Sequence, residues 1–262
     1  MKVALTIAGS DTCGGAGLQA DLRVFHSLGV YGASVAVALT AQNTAGVRRV
    51  HHVPPRFIGE QIDAVATDLP IAAAKTGMLG RARVVEVVAA RVRRRRLPNL
   101  VVDPVLAAKD GTPLLCSRGL EALRRQLLPQ ARVVTPNAVE AAILSGIEIH
   151  DRESLRRAAA AISAFGVEAV VIKGGHLPGD PVDTLYWRGE LREYPGERLG
   201  VGEGPVHGTG CLYSAALTAH LALGAELPEA CAAAKELVTA AIREAVRLGK
   251  GPNRLAPLAR AT

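Results

Sequence analysis

The chain predicts a three-layer α/β/α domain built on a mostly parallel central sheet, and three observations carry that expectation. Short apolar runs rich in β-branched residues alternate with longer amphipathic runs along the 262 residues, the pattern of repeated strand–helix units. Val3–Ala8, Leu100–Val102 and Val170–Ile172 are continuously apolar, as strands covered by helices on both faces are. Six predicted strands run into glycine-rich or polar clusters, and open α/β sheets bind their ligands at that end.

Taken in order, strands are expected at 3–8, 33–40, 71–75, 100–103, 131–135 and 168–173. Helices are expected at 16–28, 54–67, 81–96, 117–127, 137–145, 152–165, 209–223 and 228–248. The first strand follows Lys2 and is too short for a signal peptide core. The helix at 81–96 ends in Arg91, Arg93, Arg94, Arg95 and Arg96, cations that complement a helix C-terminus. Asn137 follows Pro136 as a good N-cap for the helix at 137–145. Leu185-Tyr186-Trp187, Arg188-Gly189 and the run 190–194 read as a late hairpin, and the Gly/Pro-rich stretch 195–206 as a mobile loop. With no repeat, low-complexity linker or composition break, residues 1–262 are expected to form one domain.

Composition narrows the function. Hydrophobic residues make up 49% of the chain, which excludes disorder. No apolar run reaches the ~18–20 residues of a membrane span. The net charge of +7 is local, because without the five arginines at the end of one helix it falls to +2. No aromatic residues interleave with that run, so a solvated helix end is expected rather than nucleic-acid binding. Cysteines stand at 13, 116, 211 and 231, with no Cys-x-x-Cys pair and no zinc-type spacing. Reduced thiols and a cytoplasmic location are the expectation.

The most informative stretch is His207-Gly208-Thr209-Gly210-Cys211, leading directly into a helical run. Two glycines permit a sharp turn and close approach to a ligand. The helix start that follows offers free N–H groups and a partial positive charge, a binding place for phosphate. Cys211 stands where a helix N-terminus is expected to lower a thiol pKa; a small buried hydrophobe is the plainer alternative. No Walker loop competes: Gly9 and Gly14 have its first spacing, but Gly15 and Ala16 stand where Lys and Ser/Thr are needed.

In chain order follow Ala8-Gly9-Ser10-Asp11, Gly14-Gly15-Ala16-Gly17-Leu18-Gln19-Ala20-Asp21, Thr40-Ala41-Gln42-Asn43-Thr44, Lys75-x-Gly77-Met78-Leu79, Val102-Asp103-Pro104-Val105, Thr135-Pro136-Asn137 with Glu140, Lys173-Gly174-Gly175-His176 and the Cys211 motif. This ordered set resembles the hydroxymethylpyrimidine/phosphomethylpyrimidine kinases of thiamine biosynthesis, within the ribokinase-like superfamily, over about residues 3 to 248. A Cys at position 211, where most of that superfamily carries Asp, points to the pyrimidine kinases and some pyridoxal kinases. The chain departs from the common pattern with Thr12-Cys13 for Pro-Ser, Thr76 for an apolar residue, Pro205-Val206 for Asn-Thr and Leu212-Tyr213 for Thr-Leu.

The resemblance implies a ribokinase-like fold, ATP and Mg²⁺ as cofactors, and hydroxymethylpyrimidine, its monophosphate and ATP as small-molecule partners. A homodimer is implied as well, with no nucleic-acid or membrane partner. Backbone amides of Gly208, Thr209 and Gly210 are expected on the transferred phosphoryl group, with Cys211 orienting or deprotonating the substrate hydroxyl. Lys173, ending an apolar strand, is expected on the ATP phosphates, together with Thr209 and Asn137. Asp103 and Glu140 are candidates for holding Mg²⁺, which takes one or two carboxylates plus phosphate oxygens. Gln42 can pair twice with an aminopyrimidine edge; Asp21, Met78 and Gly9 are placed with it on the substrate. Two other readings stay open: a pyridoxal or pyridoxine kinase, and a non-catalytic pyrimidine-binding module.

Overall fold

The computed structural model describes residues 1–107, 114–176, 180–199 and 204–258. Nine strands form one sheet in the order β3-β2-β1-β4-β5-β6-β7-β8-β9. They are β1 (Val3–Gly9), β2 (Tyr31–Asn43), β3 (Gly46–His52), β4 (Ile71–Thr76), β5 (Leu100–Val102), β6 (Val133–Val134), β7 (Ala169–Ile172), β8 (Asp183–Trp187) and β9 (Glu190–Tyr194). The six strands from β2 to β7 in this order run parallel, and the antiparallel β3 and β8–β9 close the two edges. The chain leaves β1 for β2 on one side and returns to β4 on the other, a switch point of the kind where α/β sheets place ligands.

Alternation along the strands divides the core in two. Val3, Leu5 and Ile7 of β1, with Ala74, Leu100, Val102, Val134, Val170 and Ile172, pack against α2 (Pro55–Asp68), α3 (Ala82–Arg95), α5 (Ala138–Ser145) and α6 (Arg152–Ser163). The intervening Ala4, Ala73, Val101, Val133, Ala169 and Val171 pack against α1 (Gly17–Ser27), α7 (Thr209–Leu223) and α8 (Leu227–Arg243). Because side chains alternate between faces, Thr6 and Lys75 point towards α1 and α7. The short α4 (Ser117–Ala122) continues through a wider π-turn to Leu127.

Element boundaries differ from the sequence expectation in physically readable places. The polar stretch 40–44 continues β2 and turns into β3, whose residues are nearly all exposed; an edge strand without a buried face shows no apolar alternation. The last helix stops at Arg243 rather than 248, because Val246 bridges to Leu255 in an extended return. The expected turn at Arg188-Gly189 has both φ values positive, 54° and 83°, the pair a type I′ hairpin requires. The arginine run is partly paired, since Arg91 and Arg95 both grip Asp63 of α2, at 2.9 and 2.7 Å. Residues 200–203 of the loop expected at 195–206 lie outside the described residues.

Candidate active site

The carboxyl ends of β1, β4, β5 and β7 converge on the start of α7. Gly208 caps that helix with φ 81°, and a Cβ there would lie 1.9 Å from the Gly15 carbonyl. Only glycine fits both the left-handed backbone and the contact. Gly17, with φ 57°, is pressed equally hard against the Gly9 carbonyl. The two glycine loops are thus stacked, and the first amides of α7, which have no acceptor within their own helix, open beside them.

Two lysines lie close to this helix start. Lys173 follows β7, and its Nζ donates to Asp103 Oδ1 at 3.0 Å. A Cβ built on Gly210 would lie 3.2 Å from that Nζ and 4.0 Å from Asp103 Oδ2. Burial alone would lower the Lys173 pKa, but Asp103 and Glu140 carry it above the usual lysine value. Lys75 is wholly enclosed. Its Nζ donates to Asp21 Oδ1 at 2.7 Å, with both side chains 0% exposed. Here too burial opposes the charge, and Asp21, Cys211 and Asp103 outweigh it, so Lys75 is held charged.

Asp103 is anchored from three sides, because Ser214 of α7 donates to its Oδ2 at 3.1 Å and Thr135 approaches Oδ1 at 3.4 Å. Glu140 and Asn137 form a reciprocal capping box: Asn137 N–H donates to Glu140 Oε2 and Glu140 N–H to Asn137 Oδ1, both at 2.9 Å. That is a well-known way to start a helix, and it occupies the Asn137 side-chain oxygen. Burial pushes the Glu140 carboxyl up to about 7; Lys173 pulls it down and the neighbouring Asp103 pushes it further up.

A third group lies where β2 passes the first glycine loop. Gln42 Nε2 is 3.0 Å from His207 Nε2, and the same ring nitrogen is 3.0 Å from Asp11 Oδ2. Asp11 also accepts from the amides of Cys13 and Ala16 at 3.0 and 2.8 Å. Burial would raise its pKa, but bonds from His207, Cys13 and the loop amides hold it at about 2. Met78 lies against Gly9, where a Cβ would come within 2.8 Å of its methyl carbon.

Two expectations meet a different environment. Asp21 is 0% exposed, with Lys75 on Oδ1 and the Thr6 hydroxyl donating to Oδ2 at 2.6 Å, so both of its oxygens are engaged within the protein. The amphipathic α1 hides the residue between the layers. The thiol of Cys211 is not acidified. Burial pushes it up to about 11, although Lys75 and an N–H from Gly17 act to lower it. Desolvation of the thiolate outweighs both.

Lys173, Asp103, Gly208, Thr209, Gly210 and Cys211 are brought together; Asn137 and Glu140 adjoin them, and Gln42, Gly9 and Met78 line the neighbouring side. Three residues were passed over as site members. Lys75 sits in a fully buried strand and so needs a buried counter-charge, the argument that singles out Lys173. Asp11 and His207 are 196 positions apart, and no local spacing links them.

A model of the phosphomethylpyrimidine kinase family matches residues 11–256. The chain is 44% identical over 254 residues to the hydroxymethylpyrimidine/phosphomethylpyrimidine kinase of Haemophilus influenzae, covering 96% of this chain and 94% of that one. It is 46% identical over 248 residues to the thiamine biosynthesis bifunctional protein ThiED of Geobacter sulfurreducens, covering 94% of this chain but only 50% of the longer protein. Among solved structures, the pyridoxal kinase of Bacillus subtilis in complex with ADP superposes with a TM-score of 0.88 at 38% identity, over 98% of this chain and 97% of that one. With a match spanning nearly its whole length, the chain belongs to the phosphomethylpyrimidine kinase family.

Proposed function

We infer that the protein is the hydroxymethylpyrimidine/phosphomethylpyrimidine kinase of thiamine biosynthesis, moving the terminal phosphoryl group of ATP to 4-amino-5-hydroxymethyl-2-methylpyrimidine and then to its monophosphate. The observation that carries the reading is the meeting of Lys173, Lys75 and the α7 amides around Cys211, beside a wall formed by Gln42, Gly9 and Met78. A phosphoryl group in flight spreads negative charge over its oxygens, and catalysis is largely positioning and charge neutralisation. Fixed cations and helix amides meet that need, and one such donor contributes ~2.7–4 kcal/mol.

In the first reaction the hydroxymethyl oxygen attacks the terminal phosphorus, the bond to the β-phosphate oxygen breaks, ADP leaves and the hydroxyl proton passes to solvent. In the second a phosphate oxygen of the monophosphate attacks in the same manner. Gln42 reads the aminopyrimidine edge, its amide held in place by His207. Cys211 works as a neutral thiol that orients the hydroxyl, because a thiol at about 11 is protonated at neutral pH. Lys173 holds the polyphosphate as a point charge.

Asp103 and Glu140 suit Mg²⁺: burial, and to a smaller degree Asp103, raises the Glu140 pKa, and a cation would favour its charged form. Asp103 and Glu140 would hold Mg²⁺, whose charge would offset that of the phosphates.

A second reading has its own support. The Bacillus subtilis structure at 38% identity is a pyridoxal kinase, and a pyridine bearing a hydroxymethyl group has nearly the shape of the pyrimidine. Mass spectrometry of products from the pyrimidine alcohol with MgATP decides. Two added phosphates are expected; no added phosphate, or pyridoxal turned over with equal or higher kcat/KM, would overturn the assignment.

A further inference from the structure

Among the described residues, Asp11, Cys13 and His207 are brought together with their ligand atoms all within 4.8 Å of one another. Asp11 Oδ2 lies 3.0 Å from His207 Nε2, and Cys13 Sγ lies 3.1 and 3.5 Å from the two Asp11 oxygens. With metal–ligand bonds of about 2.0–2.3 Å, a tetrahedral zinc site spaces its donors at roughly 3.3–3.7 Å. Small rotations of these side chains would meet that spacing. Gln42 supplies a fourth donor. A half-turn of its amide would put the oxygen where Nε2 now lies, 3.0 Å from His207 Nε2. The turn also suits Thr40, whose single hydroxyl proton already goes to the Ser10 carbonyl at 2.9 Å, so that Thr40 can accept from Gln42.

The donors are preorganised. The Asp11 carboxylate is held by the amides of Cys13 and Ala16, and the His207 ring is packed on Gly15, where a Cβ would lie 2.5 Å from its Cδ2. Such support of first ligands by a surrounding shell marks working metal sites. The cluster is reachable, since the His207 side chain is 17% exposed. A thiol, an imidazole and a carboxylate suit a soft divalent ion, whereas Mg²⁺ prefers oxygen alone.

We propose that Asp11, Cys13, His207 and Gln42 form a binding site for a thiophilic divalent cation of the Zn²⁺ class, separate from the Asp103–Glu140 pair. Binding the ion takes the Gln42 oxygen and the Nε2 lone pair of His207, whose ring proton then sits on Nδ1, and displaces the proton of the Cys13 thiol to solvent. Because Gln42 is thereby withdrawn from the pyrimidine edge, occupancy blocks the substrate and not ATP; this consequence rests on the kinase reading, while the binding itself does not.

The test uses the full chain, reduced and freed of metal, titrated with Co²⁺. One Co²⁺ per chain is expected, with a thiolate-to-cobalt charge-transfer band that Zn²⁺ abolishes by displacement. Cys13→Ser removes the band and weakens binding by more than the ~10–100-fold that loss of a supporting residue costs. His207→Gln also weakens binding, and Cys211→Ser leaves the band intact. Absence of the band, or its persistence in Cys13→Ser, overturns the site. In the kinase assay, Zn²⁺ raises KM for the pyrimidine and not for MgATP, and Cys13→Ser is insensitive. Zn²⁺ inhibition retained in Cys13→Ser overturns the blocking role; absence of any kinase activity alongside normal Co²⁺ binding would fault the functional reading alone.

Discussion

Replacing Asp21 by Asn separates a substrate-binding carboxylate from a buried counter-ion. Lys75 and Asp21 meet at 2.7 Å with both side chains 0% exposed, so the substitution leaves an ammonium group without its counter-charge in a dry interior. Removing one partner of such a pair costs about 3–5 kcal/mol. Asn retains an oxygen that can accept from Lys75, which places the expected loss near the lower end, about 3 kcal/mol. For a chain of this size each 1 kcal/mol shifts Tm by about 2–4 °C; the expected fall is therefore about 6–12 °C. Circular dichroism melts and urea unfolding read the loss directly. The double variant Asp21→Leu, Lys75→Met should recover much of the stability, because an apolar pair of similar volume replaces the ion pair. An unchanged Tm for Asp21→Asn, together with a raised KM for the pyrimidine, would refute the reasoning and return Asp21 to the substrate.

Gln42→Leu should raise KM for the pyrimidine at least tenfold and leave KM for ATP within twofold, about 1.4 kcal/mol or more of lost pairing; equal effects in steady-state kinetics would place Gln42 elsewhere. Cys211→Ala should lower kcat by about 10–100-fold with little change in KM, less than the ~10²–10⁴-fold that a general base contributes. Because the thiol titrates at about 11, wild-type kcat should be flat between about pH 7 and 9; a tenfold rise per pH unit that Cys211→Ala abolishes would identify a thiolate base. Glu140 is raised from 4.5 to about 7 in the folded chain. The folded state then binds the extra proton between those values, so the contribution of Glu140 to stability is full below 4.5 and is lost as pH rises through 7. Melts of Glu140→Gln should gain on wild type as pH rises across that window, and a constant offset would contradict the shift.

Much of the architecture was legible because buried strands advertise themselves. Val3–Gly9 and Ala169–Ile172 are buried at every position, and an apolar run between glycine clusters admits few other readings. The edge strand Gly46–His52 was not legible, since its sequence reflects solvent on both sides. The turn before α7 could be read because glycine at 208 answers a backbone demand that no other residue meets. The pairing of Asp21 with Lys75 was not legible because a helix position says nothing about which residue of β4 faces it; the clue lay in Lys75, a lone cation in an apolar strand. The Cys211 pKa was misjudged by weighing the helix terminus without the cost of burying a thiolate. The Asp11–His207–Gln42 contact joins three distant segments, and only the folded chain reveals it.

The account stands on the amides at the start of α7 and Lys173 receiving the phosphoryl group in transit. A crystal structure with a non-hydrolysable ATP analogue, Mg²⁺ and the pyrimidine alcohol tests this most directly. The terminal phosphorus is expected within hydrogen-bonding reach of the Thr209–Cys211 amides and the Lys173 Nζ, with the hydroxymethyl oxygen facing it beside Cys211. A terminal phosphate bound away from that turn, or a pyrimidine bound without contact to Gln42, would contradict it.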